Sequence, residues 1–521
     1  MDRTERPTSP WVGRILLGLT LLAALLRFYH AGTQSLWIDE TETIKYTAPF
    51  GQYSWRLFFY NLHGALYSAL LHAWSHLFGT SEWALRSFSA LVGTVTVPLF
   101  YWALQPLRRP NTALVATALL AIHPFHIWYS QELRGYVLLL LAVVVSTGCF
   151  LRAIEGNRHS LWRYAAANLV GLLSNLAHVF AMMAHGWLQL LRGREGRTLW
   201  RGLVLSWLVS FVLLAPWIYV FWENQIQGSR AVGTESIPKE ERIRGESSAP
   251  VLGIPYSYYT FSVGYSYGPS LRELATLNRK MDLSVLQPHI PGLAWAAIAF
   301  GLAAVIGFVR LWRSGVPGRT WVWLAVIPVL LVYGTAVRNI KVFNPRYAAA
   351  AFPAYLLAVS EGIVSVGRRR SLLLGLAVLA PTSVSLAQHY TDSDYAKDET
   401  REAVAYLRSE MRPGDLFCYI GLDSPLHNYY WRDIRNDPDG IEHIGTHFFT
   451  PSDWPGRFAR MDSLLAGHDR IFLLFLREAW DDPEGRFRAH IEETYDVEEK
   501  AVFVGTEVWK IAGRPATEGT Q

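Results

Sequence analysis

The stretch WVGRILLGLTLLAALLRFYHAGTQSLWIDETET, residues 11–43, contains both features on which the fold and the chemistry of this chain depend. Trp11 to His30 is an apolar run of about 20 residues, enough for a helix that spans a bilayer. Leu36 to Thr43 then places Asp39 and Glu40 roughly three turns beyond the membrane boundary. The first 390 residues hold only 17 Asp and Glu against 33 Lys and Arg, so two adjacent acids here are informative.

The composition indicates a polytopic membrane protein with an attached globular part. The chain has 521 residues, 51% of them hydrophobic, with 21 Trp and a net charge of +5. Residues 391–521 are acidic, with 26 acidic against 15 basic side chains, whereas the earlier basic residues lie mainly in short loops. That pattern is an orientation signal, so no nucleic-acid partner is expected. Cys149 and Cys418 suggest no disulfide framework or thiolate metal site.

Nine apolar runs have the composition of membrane spans. They are Trp11–His30, Trp83–Leu104, Thr112–Phe125, Tyr136–Phe150, Trp200–Trp222, Gly292–Leu311, Trp321–Val337, Tyr347–Val366 and Leu372–Gln388. The first lacks a clear small-residue cleavage site and is interpreted as a retained signal anchor. A tenth segment, Arg163 to Arg192, has Arg-rich flanks at both ends and must cross an even number of times. A hairpin of two short helices turning near Asn175 to His178 satisfies this and predicts about eleven transmembrane helices.

The distribution of Arg predicts which loops face outward. Short basic loops fall on the cytoplasmic side of the membrane, and long loops and everything after Gln388 fall on the opposite side. In the first outer loop, His63 to Phe78 has the pattern of an amphipathic interfacial helix. In a later one, the aromatic residues from Tyr256 to Tyr267 alternate with Gly and Ser and predict a mobile lid. Function in loops would therefore face away from the cytoplasm.

The periodicity changes after Tyr390, which divides the chain into a transmembrane domain, residues 1–390, and a small extracytoplasmic α/β domain, residues 391–521. Helices are predicted at Asp398–Met411, Trp454–Ala466 and Pro483–Thr494, and strands at Leu416–Ile420 and Arg470–Leu476. Ala501–Ile511 is predicted as a final strand or hairpin. No Gly-rich phosphate loop follows a strand, so no nucleotide site is predicted.

Asp39 and Glu40 have two compatible interpretations. Asp39 is suited to begin a short interfacial helix as its N-cap, with Glu40 in the first turn. Alternatively, one carboxylate removes a proton from an acceptor hydroxyl while a sugar is displaced from its phosphate. A carboxylate can orient the hydroxyl early and take its proton as the phosphate departs.

Other polar residues at predicted outer boundaries are candidates for a cavity. Glu132 and Arg134 follow a run of aromatics and are either an anchoring ion pair in an aromatic belt or part of a cavity wall. Arg346 and Tyr347 open a spanning helix, where the guanidinium would bind a lipid phosphate or reach nonspecifically toward headgroups. His63 and Tyr67 open the amphipathic helix. The remaining His residues match no trusted metal spacing: His123, His126, His178 and His185.

The ordered motifs of residues 16–366 resemble those of bacterial glycosyltransferase family 39 and its relatives, including protein O-mannosyltransferases and the aminoarabinose transferase of lipid A. The motifs are Leu36-Trp37-Ile38-Asp39-Glu40, Leu62-His63 with Leu66-Tyr67, Ser81-Glu82 with Ala84-Leu85-Arg86, His123-Pro124 with Tyr129-Ser130-Gln131-Glu132 and Arg134-Gly135-Tyr136, and Arg346-Tyr347 with Pro353.

The resemblance implies a GT-C membrane enzyme that uses a polyprenyl-phosphate sugar donor at the outer face of the inner membrane and inverts the anomeric carbon. It implies Asp39 as the base supported by Glu40, with Arg346, Tyr347 and His63 near the donor phosphate. The residues expected to line the cavity are Tyr67, Gln131, Glu132, Arg134 and Tyr136.

Two departures from the family pattern bear on these roles. Gly64 and Ala65 stand where relatives often carry two prolines, and Leu62 stands where aminoarabinose transferases have an acidic metal-linked residue. No zinc site or other cofactor is therefore assigned, and a divalent cation is left open. The acceptor class is also open among glycolipid, polysaccharide and protein.

Two other classes of function share some of these features. A lipid-linked sugar flippase would have the same helices and basic loops, but transporters place ionisable residues within helices near the midplane. Here Asp39, Glu132 and Arg346 lie at outer boundaries. A sensor would need a cytoplasmic output domain, which the sequence does not suggest.

Overall fold

The computed structural model describes residues 10–45, 47, 64–231, 252–274, 283–338, 343–421, 425–432, 442–445, 453–478, 482 and 484–513, without the side chains of 221 and 224–231. The chain forms two compact units. The first contains Met1–Ala31 and Tyr53–Tyr395, and the second contains Gly32–Gln52 and Ala396–Gln521. The segment with Asp39 therefore belongs to the same unit as the carboxyl-terminal residues.

The first unit is helical. Its helices are α1 (Pro10–Phe28), α3 (Ala65–Phe78), α4 (Glu82–Leu104), α5 (Pro110–Ile122), α6 (Pro124–Ser130), α7 (Tyr136–Ile154), α8 (Ser160–Ser174), α9 (His178–Leu191), α10 (Arg197–Ala231), α11 (Gly253–Val263), α12 (Ile290–Arg313), α13 (Val316–Val337), α14 (Phe352–Ser365) and α15 (Arg368–Thr391). Helix α3 confirms the helix that was predicted in the first outer loop and that ends at Phe78.

Within the described ranges, eight helical segments are long and apolar enough to cross a membrane, or nine if the bent pair α5 and α6 is one span. The predicted eleven are not reached by this measure. The difference corresponds to α8 and α9, which break at the predicted turn but have only 15 and 14 residues. Each is shorter than the roughly 20 residues that a helix needs to cross the hydrocarbon core.

The aromatic stretch expected to be a mobile lid forms helix α11 instead. Its Phe261 is fully buried, and its ring lies 5.2 Å from that of Phe125 and 6.0 Å from that of Phe352. Ser262 and Tyr355 share a 2.6 Å hydrogen bond. Tertiary packing therefore fixes a segment whose Gly and Ser residues suggested a loop.

Small residues allow α12 and α14 to approach each other closely. A β-carbon at Gly307 would lie 1.7 Å from the Ala358 carbonyl oxygen, and one at Gly362 would lie 1.9 Å from that of Ala303. Only glycine fits at either position. Such contacts are a usual way of packing helices within a membrane, where apolar side chains gain nothing by leaving lipid.

The second unit contains α2 (Ile38–Lys45) and a five-stranded sheet in the order β2-β1-β3-β5-β4. Its strands are β1 (Leu416–Gly421), β2 (Glu442–Gly445), β3 (Arg470–Leu476), β4 (Asp496–Phe503) and β5 (Thr506–Ala512). β2, β1 and β3 are parallel, whereas β5 pairs antiparallel with β3 and β4. β1 and β3 confirm two predicted strands, and the segment predicted as a final strand or hairpin forms the hairpin of β4 and β5. β2 was not predicted.

Three helices cover the two faces of this sheet: α16 (Thr400–Glu410), α17 (Trp454–Leu465) and α18 (Arg486–Thr494). Leu407 of α16 packs with Phe472, whereas Met461 of α17 packs with Leu473 on the other face. Side chains alternate between the faces of a strand, so β3 must be apolar throughout when both faces are covered. Its sequence, RIFLLFL, meets that requirement.

Candidate active site

The two adjacent carboxylates of α2 have different surroundings. Glu40 is fully buried, and its carboxylate lies 2.9 Å from the ammonium of Lys397, which is 7% exposed. Asp39 is only partly buried. The same Glu40 carboxylate also accepts a hydrogen bond of 3.3 Å from the Trp37 amide at the start of the helix. Glu40 is thus held by a cation and a helix terminus, whereas Asp39 is more accessible.

Helix α2 lies at the carboxyl edge of the parallel strands. Tyr430, the last residue of the short π-helix Leu426–Tyr430, accepts a hydrogen bond of 2.6 Å from the Leu36 amide. Arg477 directly follows β3, and its guanidinium lies 5.2 Å from the ring centroid of Trp37. Parallel strands end at the same edge, which is where open α/β sheets commonly bind ligands. Helix α2, which carries Asp39, therefore lies at the edge of the sheet where open α/β folds commonly bind ligands.

The chain just before α2 is tied to the first turn of α16. Arg401 donates to the carbonyls of Gly32 and Thr33, and the Ser35 hydroxyl donates to Glu402 at 2.7 Å. Burial opposes ionisation of Glu402, but the hydrogen bonds from Ser35 and Arg401 outweigh it and hold the pKa of Glu402 below its ordinary value. These contacts fix the approach of the chain to Asp39.

In the first unit, the predicted second outer loop begins with a helix break between α5 and α6, which are bent by 54°. Pro124 has no amide hydrogen to donate to the Leu120 carbonyl, and the Phe125 amide donates to His123 Nδ1 instead. The buried guanidinium of Arg27 donates to the Leu120 carbonyl at 3.0 Å and to the Ala121 carbonyl at 2.8 Å. Arg27 thereby caps the broken helix.

Gln131 caps the carboxyl-terminal end of α1 with its side chain. Its side-chain amide donates to the carbonyls of Leu26, Arg27 and Tyr29 at 3.3, 3.0 and 2.7 Å. Its side-chain oxygen lies 2.9 Å from His389 Nε2. Gln131, predicted to line the cavity, is thus engaged in joining helix ends.

Tyr67 and Ser89 support the backbone of the same loop. Tyr67 is fully buried, and its hydroxyl lies 2.6 Å from that of Ser89. Ser89 donates in turn to the carbonyl oxygen of Glu132 at 2.8 Å. Tyr67 is therefore linked to the cavity candidate Glu132 through one intervening hydroxyl.

A pair of hydrogen-bonded tyrosines joins α6 to the segment that follows α11. The hydroxyls of Tyr129 and Tyr265 lie 2.8 Å apart, and the Tyr136 ring is 5.0 Å from that of Tyr129. Burial raises the pKa of Tyr265 above its ordinary value, the Tyr129 hydrogen bond and the Arg346 charge oppose that rise, and the Glu132 charge adds to it. Neither Tyr129 nor Tyr265 was predicted as a site residue, although both lie in aromatic stretches that the sequence singles out.

Arg346 and Tyr347 lie in a 3₁₀-helix, Pro345–Ala351, that leads into α14. Asn344 caps this helix by accepting a hydrogen bond of 3.1 Å from the Arg346 amide. The guanidinium of Arg346 lies 5.4 Å from the ring centroid of Tyr347, and both side chains are partly buried. The cap fixes the backbone of Arg346, and the ring contact restricts the directions that its guanidinium can take.

Two predicted site residues remain, Arg134 and His63. Arg134 is partly buried, and His63 lies outside the described residues. Among the side chains that the structure describes, no group of three His, Cys, Asp or Glu is arranged to hold a metal ion. Lys397, which pairs with Glu40, was missed because no local pattern marks a partner so distant in sequence.

Comparisons with known proteins agree with this architecture. The sequence model of a family described as dolichyl-phosphate-mannose-protein mannosyltransferase matches residues 63–222, less than half of the chain. No curated protein sequence matches.

Three solved structures share the fold over nearly the whole chain. ArnT from Cupriavidus metallidurans in the apo state has 13% identity and a TM-score of 0.59, covering 98% of this chain and 100% of its own. The same protein bound to undecaprenyl phosphate has 14% identity and a TM-score of 0.55, covering 98% and 99%. The apo Archaeoglobus fulgidus oligosaccharyltransferase has 13% identity and a TM-score of 0.52, covering 98% and 75%. The predicted resemblance to GT-C glycosyltransferases is confirmed at the level of the fold.

Proposed function

We propose that this chain is an integral membrane glycosyltransferase of the inner membrane that moves a monosaccharide from a polyprenyl-phosphate donor to a hydroxyl acceptor on the outer face. The family model named for dolichyl-phosphate-mannose supports a lipid-phosphate donor. So does the shared fold with an ArnT structure bound to undecaprenyl phosphate. The acceptor is a glycolipid, a polysaccharide or a protein.

The observation that carries the proposal is the unequal environment of Asp39 and Glu40. A general base must be reachable by the hydroxyl that it deprotonates, which favours the partly buried Asp39. Glu40 is fully buried and paired with Lys397, so its role is to position α2. The ammonium of Lys397 also neutralises the Glu40 charge beside Asp39.

In the proposed step the acceptor oxygen forms a bond to the anomeric carbon as the bond from that carbon to the phosphate oxygen breaks. The hydroxyl proton passes to Asp39, and the polyprenyl phosphate leaves with the electron pair. Attack opposite the leaving group inverts the anomeric carbon.

Arg346, Tyr347 and His63 are proposed to bind the donor phosphate, whose negative charge increases as the sugar leaves. A guanidinium forms strong charge-assisted hydrogen bonds with phosphate oxygens, and its effect grows as that charge develops. Tyr67, Glu132, Arg134 and Tyr136 are proposed to shape the cavity around the donor.

The test of the base is transfer from a panel of radiolabelled polyprenyl-phosphate sugars by the purified chain in proteoliposomes. Asp39→Asn should lower turnover by about 10²- to 10⁴-fold, the usual contribution of a general base. Donor affinity should stay unchanged. Glu42→Gln, on the same helix, is the matched control and should retain turnover. Equal turnover by Asp39→Asn and wild type would refute the base assignment.

The donor site is tested separately by binding of the same lipids. Arg346→Ala should weaken donor binding by more than about tenfold, because a hydrogen bond to a charged group contributes roughly 1.5 to 3 kcal/mol. Unchanged affinity would move the phosphate role elsewhere. Movement of donor across the vesicle membrane without any transfer would favour the flippase alternative.

A further inference from the structure

An apolar groove lies between α12 and α15 of the first unit. Its volume is about 610 Å³, and nine of its ten lining residues are apolar. Among those residues are Trp295, Ile298, Leu302, Ile306 and Leu373, and the only charged one is Arg370. Ile298 and Leu302 are 69% and 53% exposed. The opposite face of α12 is occupied by its close packing on α14, so the groove faces lipid.

One end of the groove is bounded by Trp295, whose side chain is 54% exposed and is held by a hydrogen bond. Pro381 in α15 cannot donate to the Ala377 carbonyl four residues earlier, which leaves an acceptor without its helical partner. The Trp295 indole N–H donates to that carbonyl at 3.0 Å. An unsatisfied carbonyl in a bilayer costs several kcal/mol, so this contact holds the indole in place.

The other end is strongly basic. Arg368, Arg369 and Arg370 form the first turn of α15, and all three are exposed. Arg310 and Arg313 lie in the last turn of α12. The amino-terminal end of a helix also carries partial positive charge and unpaired amides, which adds to the attraction for an anion.

The length of the groove matches one leaflet. Helix α12 rises about 16 Å from Trp295 to Ile306, close to half of the roughly 30 Å hydrocarbon core. A single acyl chain fits between Trp295 and the basic end. A polyprenyl chain is much longer than this groove.

We propose that this groove is a binding site for an anionic glycerophospholipid, with one acyl chain against Leu302 and Ile298 and the phosphate at Arg370. A zwitterionic headgroup would bring its ammonium toward three Arg side chains, so the site should prefer lipids without one. No groove residue belongs to the proposed base, phosphate or cavity set. The inference is therefore independent of the proposed function.

The test is native mass spectrometry of the full chain released from micelles that contain equal amounts of phosphatidylglycerol, phosphatidylcholine and undecaprenyl phosphate. Wild type should retain phosphatidylglycerol, and Arg370→Gln should lower that retention by about tenfold, as expected for a lost charge-assisted contact. Arg194→Gln removes an exposed Arg from a different basic turn and should retain the lipid. Equal losses for the two variants would mean annular lipid only and overturn the proposal.

A second variant tests the acyl chain. Leu302→Trp should fill the groove and displace phosphatidylglycerol while the melting temperature stays near that of wild type, because the side chain points into open space. Normal retention by a folded Leu302→Trp protein would show that the chain does not lie in the groove. Preferential retention of undecaprenyl phosphate would overturn the choice of occupant.

Discussion

Two polar segments, one in each unit, are stabilised in different ways. Helix α2 of the second unit depends on an ion pair between Glu40 and Lys397, two buried charges that neutralise each other. The break between α5 and α6 in the first unit depends on donors from Arg27 that satisfy backbone carbonyls. A buried ion pair fails when either partner is removed, because the other charge is left uncompensated. When the cap of a helix end is removed, several hydrogen bonds are lost, and each contributes a smaller part of the stability.

The largest effect should follow from loss of the cation beside Glu40. Lys397→Met should destabilise the folded chain by about 3 to 5 kcal/mol, the usual cost of leaving a buried charge unpaired. Denaturant unfolding in detergent measures this change. The double variant Glu40→Gln with Lys397→Met should recover most of the loss. A single-variant cost below about 1 kcal/mol would place the ion pair in the class of weak surface pairs.

The capped helix break should be less sensitive. Arg27→Leu removes the guanidinium donor from the buried Ala121 carbonyl and leaves the Leu120 carbonyl with only the 3.5 Å bond from the His123 amide. We expect a loss of about 2 to 4 kcal/mol from the desolvation cost of such groups. Arg14→Leu, an exposed position on the same helix, should change stability by no more than about 0.5 kcal/mol. Equal melting temperatures for Arg27→Leu and Arg14→Leu would argue against the capping role.

Within the first unit, two glycines should respond to substitution in opposite ways because only one of them is tightly packed. A β-carbon at Gly135 would lie 2.2 Å from the Ser174 carbonyl oxygen, so Gly135→Ala should cost about 1 to 3 kcal/mol through overpacking. A β-carbon at Gly301 would meet no atom within 4 Å, and Gly301→Ala should instead stabilise α12 by up to about 1 kcal/mol. Opposite signs in thermal unfolding would support the close approach at Gly135.

The smallest effect should be a change in how the stability of the second unit depends on pH. Because the pKa of Glu402 is lowered in the folded state, its contribution to stability is present above its unfolded pKa. It is lost as the pH falls through the lowered folded-state value. Glu402→Gln should remove this part of the acid sensitivity when melting temperatures are compared between neutral and acidic pH. An unchanged pH profile would contradict the contribution of Ser35 and Arg401.

Local pattern predicted much of the fold. The break at Asn175 to Ala177 and the strand Arg470–Leu476 both lie where the sequence suggested, because length, charge and alternation of apolar residues are read from neighbouring positions. The segment around Phe261 was predicted wrongly as a loop. Its Gly and Ser residues weaken helix propensity, and packing on Phe125 and Phe352 outweighs that preference.

The candidate site was predictable in part. The sequence marked Asp39 and Glu132 because acids are scarce in the first 390 residues, and Arg346 because it opens a predicted span at the outer boundary. It did not mark Tyr265, whose hydroxyl comes within 2.8 Å of the Tyr129 hydroxyl only after α11 packs against the other helices. Nor did it distinguish Gln131, whose side chain caps α1, from residues that face a cavity.

The sequence by itself determined which segments are apolar enough to enter a membrane and where carboxylates are scarce, since hydropathy and charge belong to each residue. Only the tertiary structure decided that Glu40 is fully buried against a cation while Asp39 is only partly buried. Lys397 lies 357 residues away along the chain. Coulomb attraction at 2.9 Å depends on distance in space, and folding alone brings that ammonium to one of two adjacent carboxylates.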